Sequence, residues 1–308
     1  MKKTVKIGFL LLILGLILAI LGIANNGIKT IYWHDGFHIA KRYTASAQPT
    51  KIKSITLKTG SNVIVRSGDH NSIRVTSSID QPQITDNDGR ITVTSSVKSY
   101  QSFNFQFTTP VNEATVITVA KGTKLDQLTA GRAQNGDVSL NSLNIGKLTA
   151  QPQGDLTLRE VNVTQPLTDI TAYNTRFNKV TAPSLTLKST GDITIDHSQF
   201  EKSTSSITGN DDVTIRQTKL RSGQINGSDS DISLLDNQLA QQLAVKTTDG
   251  DIHVTTAPSS GINAHTDDGD LTVFSWHHDN QKSYQYQPKA NQQYQLTTTD
   301  GDITVTAS

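Results

Sequence analysis

The chain has 308 residues, a formal net charge of +1 and no cysteine. The near-balance of charge leaves no broad cationic face to neutralise phosphates, which argues against a nucleic-acid partner. The missing thiols exclude disulfides, thiol catalysis and cysteine-ligated metals. Of the 27 acidic residues only Glu113, Glu160 and Glu201 are glutamates; aspartate bonds to its own backbone in turns whereas glutamate favours helix, so the composition belongs to strands and corners.

The first predicted element is a membrane anchor over residues 1–24. Lys2, Lys3 and Lys6 precede Ile7 to Ala24, an uncharged apolar run that rises about 27 Å as a helix, close to the roughly 30 Å of a bilayer's hydrocarbon. The lysines hold the N-terminus in the cytoplasm, so everything after Asn25 faces outward. This describes a single-pass cell-membrane protein held through residues 7–24, its C-terminal domain extracellular. A cleaved signal peptide ending at Gly22-Ile23-Ala24 is the competing reading, and the length of the apolar run favours retention. Residues 25–50 show no clear period and predict a juxtamembrane stalk, with Tyr32 and Trp33 near the headgroups. Alternation starts at Ile52: Ile55-Thr56-Leu57, Val63-Ile64-Val65, Ile73-Arg74-Val75 and Ile91-Thr92-Val93 are short strands parted by turn clusters such as Asn87-Asp88-Gly89. Phe103, Phe105 and Phe107 alternate with polar residues, so their rings share one strand face, which we read as core rather than a ligand platform.

From Asn135 one short phrase recurs. Gly136-Asp137-Val138-Ser139-Leu140, Gly154-Asp155-Leu156-Thr157-Leu158 and Gly191-Asp192-Ile193-Thr194-Ile195 are followed by Asp212-Val213-Thr214-Ile215 and Asp231-Ile232-Ser233-Leu234. Three further copies start at Gly250, Gly269 and Gly301, and Asp169-Ile170-Thr171-Ala172 is a looser match. Asp192, Asp212, Asp231, Asp251 and Asp270 follow one another at an even spacing of about 20 residues, a structural period. Counting each aspartate as zero, positions +1 and +3 are apolar, and position +8 adds Ile145, Val163, Phe200, Leu220 and Leu239 as a second inward layer. A unit this short buries its apolar side only by stacking on its neighbours. The predicted fold is all-β: a single-stranded β-solenoid over residues 51–308, β-helix- or β-roll-like, with about two strands per coil of about 19–20 residues, preceded by one N-terminal transmembrane helix. Asp137 to Ser308 would form about nine coils, a rod on the order of 40 Å long. Position +8 becomes Ser259 and His278 in the last coils, as expected of a terminal cap.

Stacked corners place aspartates in a ladder, where each neighbouring pair at about 4.8 Å repels by about 0.9 kcal/mol in water. Either the carboxylates accept turn N–H groups, or, where a second aspartate precedes by two residues, the oxygens hold Ca²⁺ between coils. The calcium candidates are Asp229 and Asp231, Asp249 and Asp251, Asp268 and Asp270, Asp300 and Asp302. No other cofactor is indicated. The interval from Asp270 to Asp302 is much longer than one coil and holds Phe274, Trp276, His277, His278, Tyr284, Tyr286 and Tyr294. Trp276, His277, Tyr284, Tyr286 and Tyr294 are partner-binding candidates; the alternative is that the rings close the end of the core. The adjacent histidines point to opposite strand faces and do not suggest a metal. No Gly-x-Ser-x-Gly, His-Glu-x-x-His or Walker motif is present, so no catalytic residue is assigned.

The run Val116-Ile117-Thr118-Val119-Ala120-Lys121-Gly122-Thr123-Lys124-Leu125-Asp126-Gln127-Leu128, followed by Asn135-Gly136-Asp137-Val138 and the serial Gly-Asp copies, resembles the bacterial putative-adhesin family of β-strand-repeat envelope proteins over residues 51–308. The resemblance implies an anchored or exported protein without assigned functional residues, in a family some of whose members accompany envelope-stress regulators. The expected function is a non-enzymatic adhesion or interaction module that binds cell-wall polymer or another envelope protein. A self-associating scaffold is the alternative, and a glycan-active enzyme the third reading.

Overall fold

In a computed structural model, residues 2–24, 31–33, 37–39, 41–78, 80–95, 101–103, 113–132, 135–278 and 281–308 are described. The apolar run forms one helix, Lys2–Ala24, whose window Val5–Gly22 has a mean hydropathy of 2.7 and buries none of its residues. It is long and apolar enough to cross a membrane. Ile31–Trp33 pairs antiparallel with Phe37–Ile39 and with Gln101–Phe103. The rings of Tyr32, Trp33 and Phe103 and all of Phe105 and Phe107 lie outside the described residues, so neither the headgroup reading nor the aromatic stripe is placed.

Two long sheets, I and II, enclose a continuous hydrophobic cluster. Each rung contributes one strand to each sheet, and the strands alternate because period-two patterning buries every second residue. In Val138–Asn141, Leu156–Arg159 and Ile193–Asp196 the +1 and +3 side chains are buried. At position +8, Ile145, Val163, Phe200, Leu220 and Leu239 are buried as well. Both layers of the sequence pattern therefore face one core.

Along the axis, sheet II then sheet I, rung 1 is Arg90–Thr94 with Ala114–Ala120, rung 2 Ser54–Lys58 with Asn62–Gly68, and rung 3 Lys124–Ala130 with Val138–Asn141. Rung 4 is Asn144–Ala150 with Leu156–Arg159, rung 5 Leu167–Ala172 with Thr175–Asn178, rung 6 Leu185–Ser189 with Ile193–Asp196, and rung 7 Ser205–Gly209 with Val213–Arg216. Rung 8 is Gly223–Asn226 with Ile232–Leu235, rung 9 Gln242–Lys246 with Ile252–Thr256, rung 10 Gln293–Thr298 with Ile303–Ala307, and rung 11 Gly261–Thr266 with Leu271–Val273. At each end the last two rungs are exchanged relative to chain order. Ile303–Ala307 lies between Ile252–Thr256 and Leu271–Val273, parallel to both. The long interval before Asp302 is therefore a loop that goes one rung too far and returns to fill the gap.

Short antiparallel strands cover the ends. Ser72–Ser77 pairs with Ala114–Ala120, Tyr43–Ala47 with Ser72–Ser77, and Gln83–Asn87 with Arg90–Thr94. At the far end Trp276–His278 covers Leu271–Val273 and Ser283–Tyr286 covers Gly261–Thr266. Edges this short give little template for sheet extension.

Three expectations change. Tyr43–Ala47, inside the expected stalk, is an edge strand of sheet I, because Tyr43, Ala45 and Ala47 are half-buried in alternation. Asp169-Ile170-Thr171-Ala172 is not a copy of the repeat: it lies in sheet II, and Asn174-Thr175-Arg176-Phe177 takes the corner between Asp155 and Asp192. The middle coils carry three strands rather than two. Gln199–Phe200, Lys219–Leu220 and Gln238–Leu239 form a narrow third sheet. The bend that leads into this side is left-handed at Ser142, Glu160, Lys179, His197, Gln217 and Asp236, with φ from 47° to 55°.

Candidate functional site

The Gly-Asp corners stack into a hydrogen-bonded ladder. Each Oδ1 accepts the N–H of the next rung's corner residue: Asn62 from Asp137 at 3.0 Å, Asp137 from Asp155 at 3.0 Å, Asp155 from Asn174 at 3.3 Å and Asn174 from Asp192 at 3.0 Å. The series resumes with Asp212 accepting from Asp231 at 3.4 Å, Asp231 from Asp251 at 2.9 Å, Asp251 from Asp302 at 2.8 Å and Asp302 from Asp270 at 2.8 Å. Charge-assisted bonds of this kind offset the repulsion between neighbours. The preceding glycines are demanded by the same stacking: a Cβ on Gly301 would collide with the Gly250 carbonyl. The ladder breaks where Asp211 replaces the glycine, since the Asp212 N–H turns to the Asp211 carboxylate at 3.1 Å. At that break the carboxylates of Asp192, Asp211 and Asp212 converge within 4.8 Å, all exposed.

The calcium candidates fall into two sets. Asp231, Asp251, Asp302 and Asp270 are successive ladder members, and Asp231, Asp251 and Asp302 each commit Oδ1 to an N–H. Asp229 and Asp300 flank Asp249 on the outer side; lost hydration first, then these two carboxyls, push the Asp249 carboxyl up from the ordinary carboxylate range. Among the described residues none of the eight belongs to a group of three acidic side chains converging as closely as Asp192, Asp211 and Asp212.

The aromatic candidates divide. Tyr294, expected at a partner surface, is 1% exposed in the returned rung, its hydroxyl 3.4 Å from the Asn237 carbonyl. Burial pushes its pKa up to about 12, and it is a core residue rather than a binding residue. Trp276 stacks on Tyr284 with centroids 3.8 Å apart, and Phe274 meets Tyr286 at 5.0 Å. All four pack half-buried against the core, as a cap requires. His277 is exposed and hydrogen-bonds Thr272 at 2.8 Å.

A cleft that sequence reasoning missed lies where the third side ends. Beyond Gln238–Leu239, the edge of the narrow sheet, the chain cuts the corner through Ala257-Pro258-Ser259-Ser260, a turn closed by Ser260 N–H to the Ala257 carbonyl at 2.9 Å. The body steps from three sides to two. The step leaves a cleft of about 600 Å³ lined by Gln217, Lys219, Asp236, Gln238, Thr256 and Gln292, among others, a volume typical of small-molecule sites. Its floor is fixed: the Asn237 side chain accepts from the Thr218 N–H at 2.9 Å and donates to the Ile215 carbonyl at 2.7 Å. Among the described residues the side chains of Gln217, Lys219, Asp236, Gln238 and Gln292 make no hydrogen bond or ion pair, in contrast to the corner ladder. The one sequence signal for the step is the loss of an apolar side chain at position +8, where Ser259 stands.

Several solved structures align with the chain. A putative adhesin from Bacteroides fragilis does so at TM-score 0.42 and 11% identity, over 87% of this chain and 97% of its own. Putative adhesins from Parabacteroides merdae and Parabacteroides distasonis give TM-scores of 0.34 and 0.32 at 10% and 13% identity, over 87% of this chain and 96% and 98% of theirs. Among curated proteins nothing matches. The family model described as Toastrack DUF4097 matches residues 52–306, which takes in all eleven rungs but for Ala307. The chain belongs to the Toastrack DUF4097 family.

Proposed function

We propose that the chain is a non-enzymatic interaction module of the bacterial envelope, tethered by Lys2–Ala24 with its solenoid outside the membrane, and that it engages a polar surface polymer through the step cleft. The observation that carries this reading is the contrast in hydrogen-bond use. The corner aspartates are largely spent on neighbouring rungs, whereas five polar side chains around the cleft have no partner among the described residues. Three amides, one cation and one carboxylate offer donors and acceptors with no net charge, which suits a neutral or zwitterionic polymer rather than a polyanion. The helix supports tethering by its length and its wholly exposed apolar surface, and Lys2, Lys3 and Lys6 support an inward N-terminus. A tie to envelope stress belongs to the same reading.

The test is co-sedimentation of detergent-solubilised full chain with purified cell-wall sacculi. Binding that falls at least tenfold in a Lys219→Ala/Gln238→Ala double variant of unchanged melting temperature supports the cleft. Equal binding by the variant, or none by the parent chain, refutes it.

A further inference from the structure

Rung 10 fills a gap that its neighbours were built to share. Gln293–Thr298 and Ile303–Ala307 insert between rungs 9 and 11, which precede them in sequence. The three rungs are interchangeable at the corner: Thr247-Thr248-Asp249-Gly250-Asp251-Ile252, Thr298-Thr299-Asp300-Gly301-Asp302-Ile303 and Thr266-Asp267-Asp268-Gly269-Asp270-Leu271 follow one pattern. Each buried threonine makes the same bond to the rung before it: Thr247 Oγ1 to the Ser230 carbonyl at 2.9 Å, Thr298 Oγ1 to Gly250 at 3.0 Å and Thr266 Oγ1 to Gly301 at 3.0 Å. Ile252 and Leu271 both pair with Ile303. With rung 10 withdrawn, rung 11 has the residues to close on rung 9 in the same register, so the vacated position need not stay open to water.

A second, independent feature lies at the entry to rung 10. Gln287, immediately before Pro288, has φ of 45°. A residue preceding proline is driven toward extended backbone, and a left-handed non-glycine residue is strained as well. The conformation is held by Ala290 N–H to the Gln287 carbonyl at 3.0 Å, Gln287 Nε2 to the Pro258 carbonyl at 2.9 Å, and Gln293 Nε2 to the Ala290 carbonyl at 2.8 Å. The turn is otherwise exposed. Straightening it releases the strain and carries rung 10 away from its own body.

We propose that rung 10 is an exchangeable element: the hinge at Gln287-Pro288 opens, and residues 293–308 insert between rungs 9 and 11 of a second copy of this chain, which returns its own rung 10. Every strand contact of the closed chain is remade in the pair. The exchange is two-fold and self-limiting. It differs from end-to-end stacking, because the short antiparallel strands over the end rungs stay in place. It does not rest on the step cleft as a binding site, although Gln292 and Ser308 border that cleft and move with the exchanged segment.

The test uses cysteine pairing, for which the cysteine-free chain is a clean background. Thr255 and Thr306 are cross-strand partners with hydroxyl oxygens 3.2 Å apart. Full-length Thr255→Cys and Thr306→Cys chains carrying different tags are mixed in detergent, warmed to permit opening, cooled at high concentration and oxidised. Exchange gives a disulfide-linked heterodimer well in excess of either homodimer and of the same mixture left unwarmed, whereas collisional oxidation of two closed chains, whose cysteines are half-exposed, gives neither excess. The Thr255→Cys/Thr306→Cys double variant, oxidised when dilute, must form its internal bridge to show that the geometry is competent. Internal bridging without that excess of heterodimer overturns the proposal. In the same assay Gln287→Gly, which relieves the hinge in the closed form, lowers the heterodimer yield about tenfold. Deleting Pro288 to Ala290, which leaves the hinge too short to turn back, drives a folded chain to the dimer; a folded monomer from that deletion also refutes the exchange.

Discussion

Replacing Asp251 separates the two roles that an aspartate ladder can play. Its Oδ1 accepts the Asp302 N–H at 2.8 Å, while its own N–H is taken by Asp231 at 2.9 Å. Asp251→Ala removes a charge-assisted acceptor, a loss of about 1.5–3 kcal/mol, and relieves repulsion from two neighbours of about 0.9 kcal/mol each before salt screening. The net expectation is destabilisation of about 1 kcal/mol, a fall of roughly 2–4 °C in melting temperature for a body of this size. Asp251→Asn keeps the acceptor and removes the charge, as Asn62 and Asn174 do at their own corners, so it should melt at or above the parent temperature. The assay is thermal unfolding by circular dichroism at low and high salt, and the gap between Asn and Ala should persist in salt because it reflects an acceptor rather than a charge. If Asn destabilises as much as Ala, the carboxylate is needed for its charge, as in cation binding, and the hydrogen-bond account fails.

Phe200 is fully buried at the junction of the third side with the core, and Phe200→Ala should cost about 3–5 kcal/mol, measured by denaturant unfolding; a loss below about 1 kcal/mol would contradict its placement. The Arg216 guanidinium, at 2.9 Å, with His197 beside it, holds the Asp196 carboxyl down to about 2. A depressed carboxyl stabilises the fold above its unfolded value, and that contribution drains away as pH falls from about 4 through 2. After screening at the half-exposed Arg216 it is about 1 kcal/mol. Asp196→Asn should therefore flatten the acid limb of a stability–pH profile, and an unchanged limb would remove the pair from the account. Asp249 has the opposite sign: its pKa is raised, so its protonated form suits the fold, and stability is lost as pH rises through its folded value. Asp249→Asn should raise the melting temperature at pH 7 and have little effect at pH 3; a fall at pH 7 would contradict the crowding. If the corner stands on its N–H bonds alone, it melts at the same temperature in calcium and in chelator, whereas a calcium-dependent rise would restore Asp229 through Asp302 as ligands.

What the sequence made legible follows from how strongly each residue constrains its rung. The Gly-Asp corners and the apolar side chains at position +8 recur because at corners such as Gly136, Gly250 and Gly301 close stacking leaves no room for a Cβ before the aspartate, and because the core requires an apolar group after the bend. Both were readable without coordinates. The corner at Asn174 was hidden because Asn supplies the same acceptor as Asp and Tyr173 stands where glycine is usual, so Asp169, earlier in the same coil, drew the match instead. The exchange of rungs 10 and 11 could not be read locally: the corners at Asp251, Asp270 and Asp302 present the same pattern to a neighbour, and only the overlong interval between Asp270 and Asp302 marked an irregularity. Two-residue strands such as Gln199–Phe200 are too short to show alternation. The step cleft draws on residues from Gln217 to Ser308, which share no motif because they are united only by the end of the third side. The polar interval around Tyr294 leaves both a partner surface and a core-closing ring open, and the structure decides for the core because its strand is pinned on both sides by rungs 9 and 11.

The most direct test of the stacked, interleaved body is a pair of spin-label distances from Ser139, on rung 3, to Thr304, on rung 10, and to Thr272, on rung 11; all three occupy outward +2 positions on sheet I. At about 4.8 Å per rung the backbone separations are roughly 34 Å and 38 Å, so the earlier residue, Thr272, should be the farther one. Thr304 lying farther than Thr272, or both separations falling well short of these values, would contradict the account.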